Sequence, residues 1–310
     1  MLNVLFSAKS AAWTDYQAPL NAAFAEAGID ANLSRDHVPE DVDYIIFTPN
    51  GPVTDFRPYT KTKAVMGLWA GVETIVDNET LTQPLCRLVD ESLTNGMVEW
   101  VTGHTLRHHL GMDTHILGQD GTWRDDSFPP VAAKRPVTIL GIGALGAACG
   151  ESLHRLGFPV TGWSRSPKDI PDIRCLHGEK GLQEALTDAQ IVILLLPQTP
   201  ETTDILNAET LALMAKGSFV INPGRGPLID DAALLAALDS GQIAHATLDV
   251  FRTEPLPPDD PFWAHPKVTV TPHIASTTRP ETAAEVIVEN IRRGEAGQPF
   301  RFLVNRGRGY

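Results

Sequence analysis

The sequence predicts an α/β protein made of two parallel-sheet domains, each Rossmann-like or flavodoxin-like, with a cleft between them. Strand-like apolar segments alternate with helix-like segments along the whole chain, which is typical of parallel sheets. A glycine-rich turn at Gly141 opens a second αβ unit in mid-chain. The length of 310 residues is enough for two domains with separate cores.

The chain up to residue 97 reads as a small αβ unit. Short runs rich in β-branched and aromatic residues predict strands, and prolines and glycines around 49–52 predict a turn. A helix is predicted from about Tyr16 to Ala27, and a long helix from about Gly96 to Leu117. The predicted strands lie near Leu2–Ser7, Tyr44–Thr48 and Ala64–Leu68.

A second αβ unit follows a linker at Phe128–Pro136, whose prolines and small residues are typical of an inter-domain segment. It starts with the strand Val137–Leu140, and apolar strands then recur with room for helices between them. A last helix, from Glu281 to about Arg293, has its apolar residues at amphipathic spacing. The recurring strands are Val160–Trp163, Ile191–Leu196, Ser218–Ile221, Ala246–Val250 and Val268–Thr271.

The composition excludes several classes of function. A formal net charge of −13 argues against nonspecific binding of nucleic acid or anionic membranes. The longest apolar run, Ile191–Leu196, is too short to span a bilayer, and the start reads as a first strand rather than a signal peptide. The cysteines form no CxxC pair, which indicates reduced thiols and excludes a cysteine zinc site; they are Cys86, Cys149 and Cys175. We expect a cytoplasmic protein without nucleic-acid, membrane or metal partners.

The turn Gly141-Ile142-Gly143-Ala144-Leu145-Gly146 follows a predicted strand and opens a helix, which is the context that a bare GxGxxG spacing lacks. Gly141 permits the tight turn, Gly143 lets the backbone approach a pyrophosphate at the helix N-terminus, and Gly146 lets helix and strand pack closely. We predict a dinucleotide cofactor at this turn, in contact with Gly141, Gly143, Ala144, Leu145 and Gly146.

The end of the second strand of this unit favours NADPH over NADH. An NAD site would have Asp or Glu there, about 20 residues beyond the glycines, to bind the ribose 2′-hydroxyl. The residues are Trp163-Ser164-Arg165-Ser166, so Ser164 and Arg165 are predicted to hold a 2′-phosphate, with NADH still possible. After the next strand, Leu196, Pro197 and Thr202 are predicted to touch the adenosine or the nicotinamide ribose.

An arginine, a carboxylate and a histidine follow three successive predicted strands. They are Arg225 in Asn222–Gly226, Glu254 after Leu248–Phe251, and His273 after Val268–Pro272. Open parallel sheets bind ligands at the carboxyl ends of their strands, so the three side chains can converge on one crevice. The arginine would clamp a carboxylate, the histidine would move a proton, and the acid would set the histidine's charge. A purely structural histidine is the alternative interpretation.

A nucleotide-binding unit that begins in mid-chain either follows another domain or is inserted into it. We favour insertion, so that the chain crosses the boundary twice. Residues 1–97 and 277–310 would form the substrate (catalytic) domain, and residues 98–276 the dinucleotide-binding domain. The cleft between them would be the active site.

These motifs together resemble those of the D-2-hydroxyacid dehydrogenases, and most of all those of the bacterial NADPH-dependent glyoxylate/hydroxypyruvate reductases. The likeness covers most of the chain, and several independent motifs occur in the family's order. They are Trp69-Ala70-Gly71-Val72-Glu73, Gly141–Gly146, Trp163-Ser164-Arg165, Leu195-Leu196-Pro197, Gly224-Arg225-Gly226, Leu248–Phe251, Glu254–Pro257, Thr271-Pro272-His273 and the ending Arg306–Tyr310.

The resemblance implies reduction of a small 2-keto acid, glyoxylate or hydroxypyruvate, to the D-2-hydroxy acid. Arg225 would bind the substrate carboxylate and polarise the keto oxygen, and His273 would protonate that oxygen while hydride arrives from the nicotinamide. Glu254 would hydrogen-bond the other ring nitrogen of His273 and favour the imidazolium. Asp249 would anchor the nicotinamide carboxamide.

Further substrate contacts are expected from the first domain. The backbone amides of Ala70 and Gly71 would hold the carboxylate, since small residues let a ligand approach. Trp69 would either narrow the pocket toward small acids or pack at the domain interface. Arg87 would be a second carboxylate contact or would form an ion pair with Asp90 or Glu91.

Two functional alternatives stay open. The chain could be a dehydrogenase of the same family for a larger 2-keto acid, with either cofactor. It could also be a non-enzymatic dinucleotide-sensing binding protein, because the C-terminal-binding transcriptional corepressors keep a similar Arg, Glu and His.

Four histidines cluster on the predicted long helix. His104 and His108 stand at i and i+4, with His109 and His115 nearby, but no cysteine or HExxH spacing supports zinc. We interpret them as a polar helix face or a subunit contact. In the family that the chain resembles this region forms the dimer arm, which implies a homodimer.

Overall fold

A computed structural model describes residues 1–125 and 128–308 of the chain. The last two residues of the C-terminal motif, Gly309 and Tyr310, lie outside the described residues. The chain divides into two compact units, one formed by Met1–Leu93 with the chain from Thr277 onward, the other by Thr94–Ser276. The chain therefore passes from the first unit to the second after Leu93, where we expected the boundary after residue 97. It returns to the first unit after Ser276.

Strands and helices alternate along the described residues. The strands are β1 (Leu2–Ser7), β2 (Ala31–Ser34), β3 (Tyr44–Phe47), β4 (Ala64–Gly67), β5 (Leu85–Cys86), β6 (Val137–Leu140), β7 (Val160–Ser164), β8 (Arg174–His177), β9 (Ile191–Leu194), β10 (Ser218–Asn222), β11 (Ile243–Leu248) and β12 (Val268–Val270). The helices are α1 (Ser10–Glu26), α2 (Glu91–Leu110), α3 (Met112–Ile116), α4 (Ala144–Arg155), α5 (Gly178–Leu186), α6 (Ala208–Leu213), α7 (Asp231–Ser240), α8 (Pro261–Ala264) and α9 (Pro280–Glu295).

The first unit is built on a five-stranded sheet in the order β2-β1-β3-β4-β5, with every pair parallel. All four residues of β3 are buried because apolar side chains cover both faces of the sheet. On one face, Leu20 and Phe24 of α1 pack with Ile287 and Ile291 of α9. The C-terminal helix thus belongs to the core that the N-terminal strands begin.

The second unit is built on a seven-stranded parallel sheet in the order β12-β11-β10-β9-β6-β7-β8. The central strands β6 and β9 are buried at every residue. Chain order reverses on either side of β6, which is the topological switch point where such sheets bind ligands. The predicted class of two parallel-sheet α/β domains is confirmed.

Several element boundaries differ from the sequence prediction. Helix α1 begins at Ser10 instead of Tyr16, with Pro19 tolerated inside it. The predicted helix from Gly96 to Leu117 is two helices, because Gly111 takes a left-handed φ of 62° and ends α2. Three strands were not predicted because they are short or partly exposed and give no long apolar run; they are β2, β5 and β8.

The histidines of α2 pack into the second unit. His108 is 4% exposed, its Nε2 lies 2.9 Å from Oγ1 of Thr247, and its ring stacks on Phe219. His109 is also buried, edge-on against Phe158. The interpretation as a polar helix face or a subunit contact is therefore wrong for His108 and His109, because these residues face the unit's own core.

None of the helices in the described part of the chain is long and apolar enough to cross a membrane. Within residues 1–125 and 128–308, no three His, Cys, Asp or Glu side chains cluster in a way that could hold a metal ion.

Buried neutral histidines make the second unit sensitive to acid. Burial lowers the pKa of His108 to about 2 and that of His245, whose ring lies 5.2 Å away, to about 4. Below the unfolded-state pKa of about 6.5, the unfolded chain binds protons that the folded chain does not, so stability falls as pH falls. For His108 this amounts to about 2 kcal/mol of unfolding free energy between pH 7 and pH 5.

We predict that His108→Phe, which keeps a ring beside Phe219, weakens this pH dependence. Urea unfolding at pH 7 and pH 5 should show a decline in stability that is smaller than the wild-type decline by about 2 kcal/mol. The exposed His154→Gln variant is the control and should decline like the wild type. Equal declines in H108F and the wild type would contradict the prediction.

Candidate active site

The predicted site residues of the second unit lie at one edge of its sheet. Arg225 follows β10, Glu254 follows β11 and His273 follows β12, and these three strands are neighbours. The glycine turn follows β6, and Ser164 ends β7. Because every strand pair is parallel, all these positions belong to the carboxyl edge, where such sheets bind ligands.

His273 and Glu254 form a hydrogen-bonded pair. Nδ1 of His273 lies 2.7 Å from Oε2 of Glu254. The other oxygen of the carboxylate, Oε1, accepts a hydrogen bond from the backbone N–H of Phe251 at 2.9 Å. An ionised carboxylate only accepts, so Nδ1 carries the hydrogen in this pair. The side chain of His273 is 51% exposed, and Nε2 is the ring nitrogen left for a substrate oxygen.

Asp249 is fully buried at the end of β11, and its carboxylate binds the loop that carries His273. Oδ1 accepts hydrogen bonds from the hydroxyl of Thr271 at 2.6 Å and the N–H of Ile274 at 2.9 Å, and Oδ2 from the N–H of Ala275 at 2.8 Å. These donors compensate the burial of the charge. Among the described residues, Oδ2 accepts only the hydrogen bond from Ala275, so it has one acceptor position left. A nicotinamide carboxamide that contacts Asp249 would have to donate to this position.

The backbone of His273 is held in an uncommon conformation. Its φ is 55°, in the left-handed region that residues with a side chain rarely occupy. The cost is of the order of 1–2 kcal/mol. The N–H of His273 donates to the carbonyl of Asp249 at 2.8 Å, and the carboxylate of Asp249 binds residues on both sides. Asp249 therefore stabilises the turn that presents the histidine.

Arg225 lies in a turn that Asn222 shapes. Oδ1 of the buried Asn222 accepts from the N–H of Gly224 at 3.1 Å, and Nδ2 donates to the carbonyl of Arg225 at 2.9 Å. Nη1 of Arg225 donates to the carbonyl of Gly224 at 2.6 Å. The half-buried guanidinium is thus oriented by its own turn, and its planar fork has the geometry that matches a carboxylate.

Direct backbone contact links the Arg225 turn to the segment that carries Glu254. A Cβ at Gly226 would lie 2.0 Å from the carbonyl carbon of Phe251, so no larger residue fits without a backbone shift. Because Phe251 also binds the carboxylate of Glu254, the turn with the arginine and the segment with the acid are held against each other.

The glycine turn fits a pyrophosphate. Gly141 has a φ of 106°, and a Cβ there would lie 2.5 Å from the carbonyl of Leu195. A Cβ at Gly146 would lie 1.9 Å from the carbonyl oxygen of Gly141. Gly143, by contrast, faces open space, and it is the N-cap of α4 without any side-chain cap. The N–H groups of the first turn, around Ala144 and Leu145, are therefore available to an anion.

Ser164 and Arg165 stand at the end of β7, as predicted for a 2′-phosphate site. The hydroxyl of Ser164 donates to the carbonyl of Ser166 at 2.8 Å, so it would have to rotate to bind a phosphate. Nη1 of Arg165 lies 3.6 Å from Oε2 of Glu201. This ion pair was not predicted from the sequence. The pKa of Glu201 lies below its ordinary value because Thr199 hydrogen-bonds the carboxylate and Arg165 lies close.

Thr202 holds the loop after β9. Its buried hydroxyl donates to the carbonyl of Pro197 at 2.7 Å and accepts from the N–H of Thr199 at 2.8 Å. The predicted cofactor contact through this hydroxyl therefore competes with the hydrogen bonds of its own loop. Leu196 lies beside the glycine turn, since a Cβ at Gly141 would also lie 2.7 Å from the N of Leu196, and Pro197 is the next residue in the chain.

In the first unit, the predicted substrate residues directly follow β4. Trp69 is 41% exposed, and Ala70 and Gly71 are half-buried. The carbonyl of Trp69 accepts a hydrogen bond from the N–H of Leu88 at 2.9 Å, which ties this loop to the end of β5. Residues 70 and 71 are small, so their side chains would not block the approach of a ligand to their amides.

The sequence prediction gave no role to Asn222 or Glu201. It gave Asp249 a cofactor contact but not its hydrogen bonds to the loop that carries His273. All three are polar residues at or after a strand end, a signal that was available in the sequence. The backbone N–H groups that Asn222 and Asp249 bind become identifiable only in the folded loops.

The chain is similar to proteins of known sequence and structure. Residues 102–275 match the family described as D-isomer specific 2-hydroxyacid dehydrogenase, NAD binding domain. The chain is 41% identical over 255 residues to the glyoxylate/hydroxypyruvate reductase A of Yersinia enterocolitica, covering 80% of this chain and 82% of that relative.

Two solved structures cover the whole chain. A D-isomer specific 2-hydroxyacid dehydrogenase from Xanthobacter autotrophicus Py2, in complex with NADPH and MES, aligns with a TM-score of 0.93 and 42% identity, over 100% of this chain and 99% of that one. An NADPH-dependent glyoxylate/hydroxypyruvate reductase from Sinorhizobium meliloti, in complex with NADP and sulfate, aligns with a TM-score of 0.87 and 32% identity over 100% of both chains.

We predict that Asp249→Asn loosens the loop 271–275. An asparagine amide cannot accept from the N–H of Ala275, so one charge-assisted hydrogen bond is lost and two donors face each other. Amide hydrogen exchange of residues 271–275 should be faster than in the wild type by about 10- to 100-fold. Asp230→Asn, at the N-cap of α7, is the matched control and should leave this loop unchanged. Wild-type exchange in D249N would show that the loop is held by other contacts.

Proposed function

The chain belongs to the D-isomer specific 2-hydroxyacid dehydrogenase family and is an NAD(P)-dependent dehydrogenase, and we propose that it reduces a small 2-keto acid, glyoxylate or hydroxypyruvate, to the D-2-hydroxy acid with NADPH. The observation that carries this proposal is the pair of His273 and Glu254, with 2.7 Å between Nδ1 and Oε2, at the carboxyl edge of the sheet. The names of the relatives from Yersinia enterocolitica and Sinorhizobium meliloti support the substrate class.

His273 is the proposed acid of the reduction. A bound NADPH supplies the hydride that goes to C2 of the keto acid. His273 donates the proton from Nε2 to the keto oxygen, which becomes the hydroxyl. Glu254 accepts the hydrogen bond from Nδ1 and balances the positive charge of the imidazolium before transfer. The left-handed backbone at His273 and the Asp249 carboxylate keep the ring in place for this step.

Arg225 is the proposed ligand of the substrate carboxylate. Its fork can bind two carboxylate oxygens, and its charge can polarise the keto oxygen as negative charge develops there. The backbone amides of Ala70 and Gly71 are the further ligands that we propose for the carboxylate, and Trp69 is the proposed wall of the substrate pocket. In this proposal the first unit is the substrate domain and the second the cofactor domain.

NADPH is the proposed cofactor. The pyrophosphate would bind the uncapped N-terminus of α4 at Gly143, and the 2′-phosphate would bind Ser164 and Arg165. No carboxylate ends β7, where an NAD-dependent site would hold one for the ribose 2′-hydroxyl. Glu201 lies beside Arg165, so the phosphate would displace the Glu201 carboxylate from an exposed ion pair. Such a pair contributes little free energy.

We further propose that the protein is a homodimer that works in the cytoplasm, where its three free thiols stay reduced. Residues 110–125 and 128–131 include exposed apolar side chains that a second copy would cover. They are Leu110, Ile116, Leu117, Trp123, Phe128 and Val131. Light scattering after size-exclusion chromatography should give about twice the chain mass of 33.6 kDa, and a monomer mass would contradict the proposal.

The proposed function is tested by measuring NADPH oxidation with glyoxylate and hydroxypyruvate. We predict turnover by the wild type and a kcat lower by about 10²- to 10⁴-fold in His273→Gln, which keeps a polar side chain but cannot act as the acid.

In Arg165→Ala, KM for NADPH should rise by about 10- to 100-fold while the KM for NADH changes little, because only NADPH carries the 2′-phosphate.

The fluorescence of bound NADPH provides the control, since H273Q should bind the cofactor like the wild type. A wild type that binds NADPH tightly but reduces neither acid favours the sensing alternative, and turnover only with bulkier acids favours the larger substrate. Equal effects of R165A on both cofactors would remove Arg165 from the phosphate site.

A further inference from the structure

Arg252 lies in the segment that carries Glu254, directly after the buried Phe251. This segment is exposed from residue 252 to residue 255, so the protein interior does not hold it in place. The N–H of Phe251 donates to Oε1 of Glu254 at 2.9 Å. The position of the Glu254 carboxylate therefore depends on how firmly the backbone around Arg252 is fixed.

The guanidinium of Arg252 binds three acceptors outside its own segment. Nη2 donates to the carboxylate of Asp204 and to the carbonyl oxygen of Ile229. Nε lies 3.4 Å from Oδ2 of Asp231. Asp204 follows β9, whereas Ile229 and Asp231 follow β10. One side chain thus joins the chain after β11 to the chain after the next two strands of the sheet.

The two segments that Arg252 binds also hold each other. The N–H of Asp204 donates to the carbonyl of Pro227 at 2.9 Å. The N–H of Ile229 donates to the carbonyl of Gly226 at 3.2 Å, and Gly226 belongs to the turn of the proposed carboxylate ligand. Arg252 is therefore anchored to backbone that continues directly into that turn.

The backbone of Arg252 packs on the same turn. A Cβ at Gly226 would lie 2.4 Å from the N of Arg252, which leaves no space between the two main chains. The side chain of Arg252 meanwhile binds Ile229, three residues beyond Gly226. Because its main chain and its side chain contact the same stretch, the Glu254 segment has little freedom to move away from the Arg225 turn.

The contacts of Arg252 restrict its geometry more than they stabilise the fold. The side chains of Arg252, Asp204 and Asp231 are between 36% and 44% exposed, and exposed ion pairs contribute little to the free energy of unfolding. A planar guanidinium that binds three acceptors, however, can satisfy them only in a narrow range of orientations. The main effect of Arg252 is therefore on the position of its segment.

We propose that Arg252 is a positioning residue for the reduction, which holds the carboxylate of Glu254 within reach of His273. This inference rests on the proposed function, in which His273 donates the proton. Arg252 acts through Glu254 and not on the substrate. A carboxylate that stays at hydrogen-bond distance from Nδ1 favours the imidazolium. A carboxylate that loses this contact for part of the time leaves fewer His273 rings protonated at alkaline pH.

The first test does not depend on activity. In Arg252→Met, which keeps the aliphatic stem, amide hydrogen exchange of Phe251 should be faster than in the wild type by about 10-fold, because Glu254 protects this N–H. Arg174→Met is the matched control, since Arg174 is an exposed arginine of the same unit that pairs with Glu184. It should leave the exchange of Phe251 unchanged. Tm should fall by less than about 3 °C in both variants.

The second test is the pH profile of NADPH oxidation with glyoxylate. In R252M, kcat at alkaline pH should fall by about 3- to 10-fold, while KM for NADPH changes by less than about 3-fold. The alkaline fall of kcat should move to lower pH by about half a pH unit. The acids that hydrogen-bond His273 or its loop are Glu254 and Asp249, and R252M releases only Glu254. A loss of folded protein would instead lower kcat equally at every pH.

Two further variants complete the test. Arg252→Lys keeps the charge but not the fork, so it should bring kcat at alkaline pH to within about 3-fold of the wild type. If R252M does not fold, Asp204→Asn replaces it, since asparagine tolerates the φ of 54° at this position. D204N removes one of the three acceptor groups of Arg252 in part, so the same changes should appear with smaller size.

The outcomes separate this inference from the proposed function. Wild-type exchange of Phe251 in R252M would show that other contacts hold the segment and would overturn the inference. A loss of kcat that is equal at every pH and is not rescued by R252K would assign Arg252 to stability alone and would also overturn it. Failure of the proposed function is visible in the wild type, as the absence of turnover, and the exchange of Phe251 still tests Arg252 in that case.

Discussion

The carboxylate of Asp249 is the interaction on which the candidate site depends. It accepts three hydrogen bonds from the loop 271–275 while fully buried, so it has little freedom to move. That loop includes His273 with a left-handed backbone, which is stable only where neighbouring contacts hold it. From His273 the contacts continue to Glu254, then to the N–H of Phe251, and through the Phe251 backbone to Gly226, beside Arg225. The proposed acid, its partner and the proposed carboxylate ligand are thus parts of one connected structure.

The order of strands in the sheet is what makes such short connections possible. β10, β11 and β12 are consecutive in the chain and also adjacent in the sheet, so three loops that are far apart in sequence meet at one edge. On the other side of the sheet's middle, chain order reverses at β6, and the N-terminus of α4 stands at the same edge without a side-chain cap. The fold therefore brings together an uncapped helix end, which suits an anion, and the three loops with the proposed catalytic residues.

Residues whose chemistry requires a specific type were predictable from the sequence. Gly141 and Gly146 belong to this group, because a positive φ or a close backbone contact leaves room only for glycine. The roles of Thr202 and His108 were not predictable in this way, since a threonine or a histidine suits both a ligand site and a protein interior. Thr202 hydrogen-bonds its own loop, and His108 lies against Phe219, and neither neighbour could be identified before the chain folded. Helix ends were uncertain for the same reason: Gly111 ends α2, although glycines at 96 and 103 do not interrupt it.

An acidic protein that binds anions has to rely on short-range contacts. With a formal net charge of −13, the overall field repels phosphates and carboxylates, so each proposed anion contact needs a local donor, either a guanidinium or backbone N–H groups. One of these arginines has an acid near it: Nη1 of Arg165 lies 3.6 Å from Oε2 of Glu201. Such an acid can hold the cation in position before a ligand arrives. In the proposed cofactor site, a phosphate would displace the exposed Glu201 at little cost, because an exposed ion pair contributes little free energy.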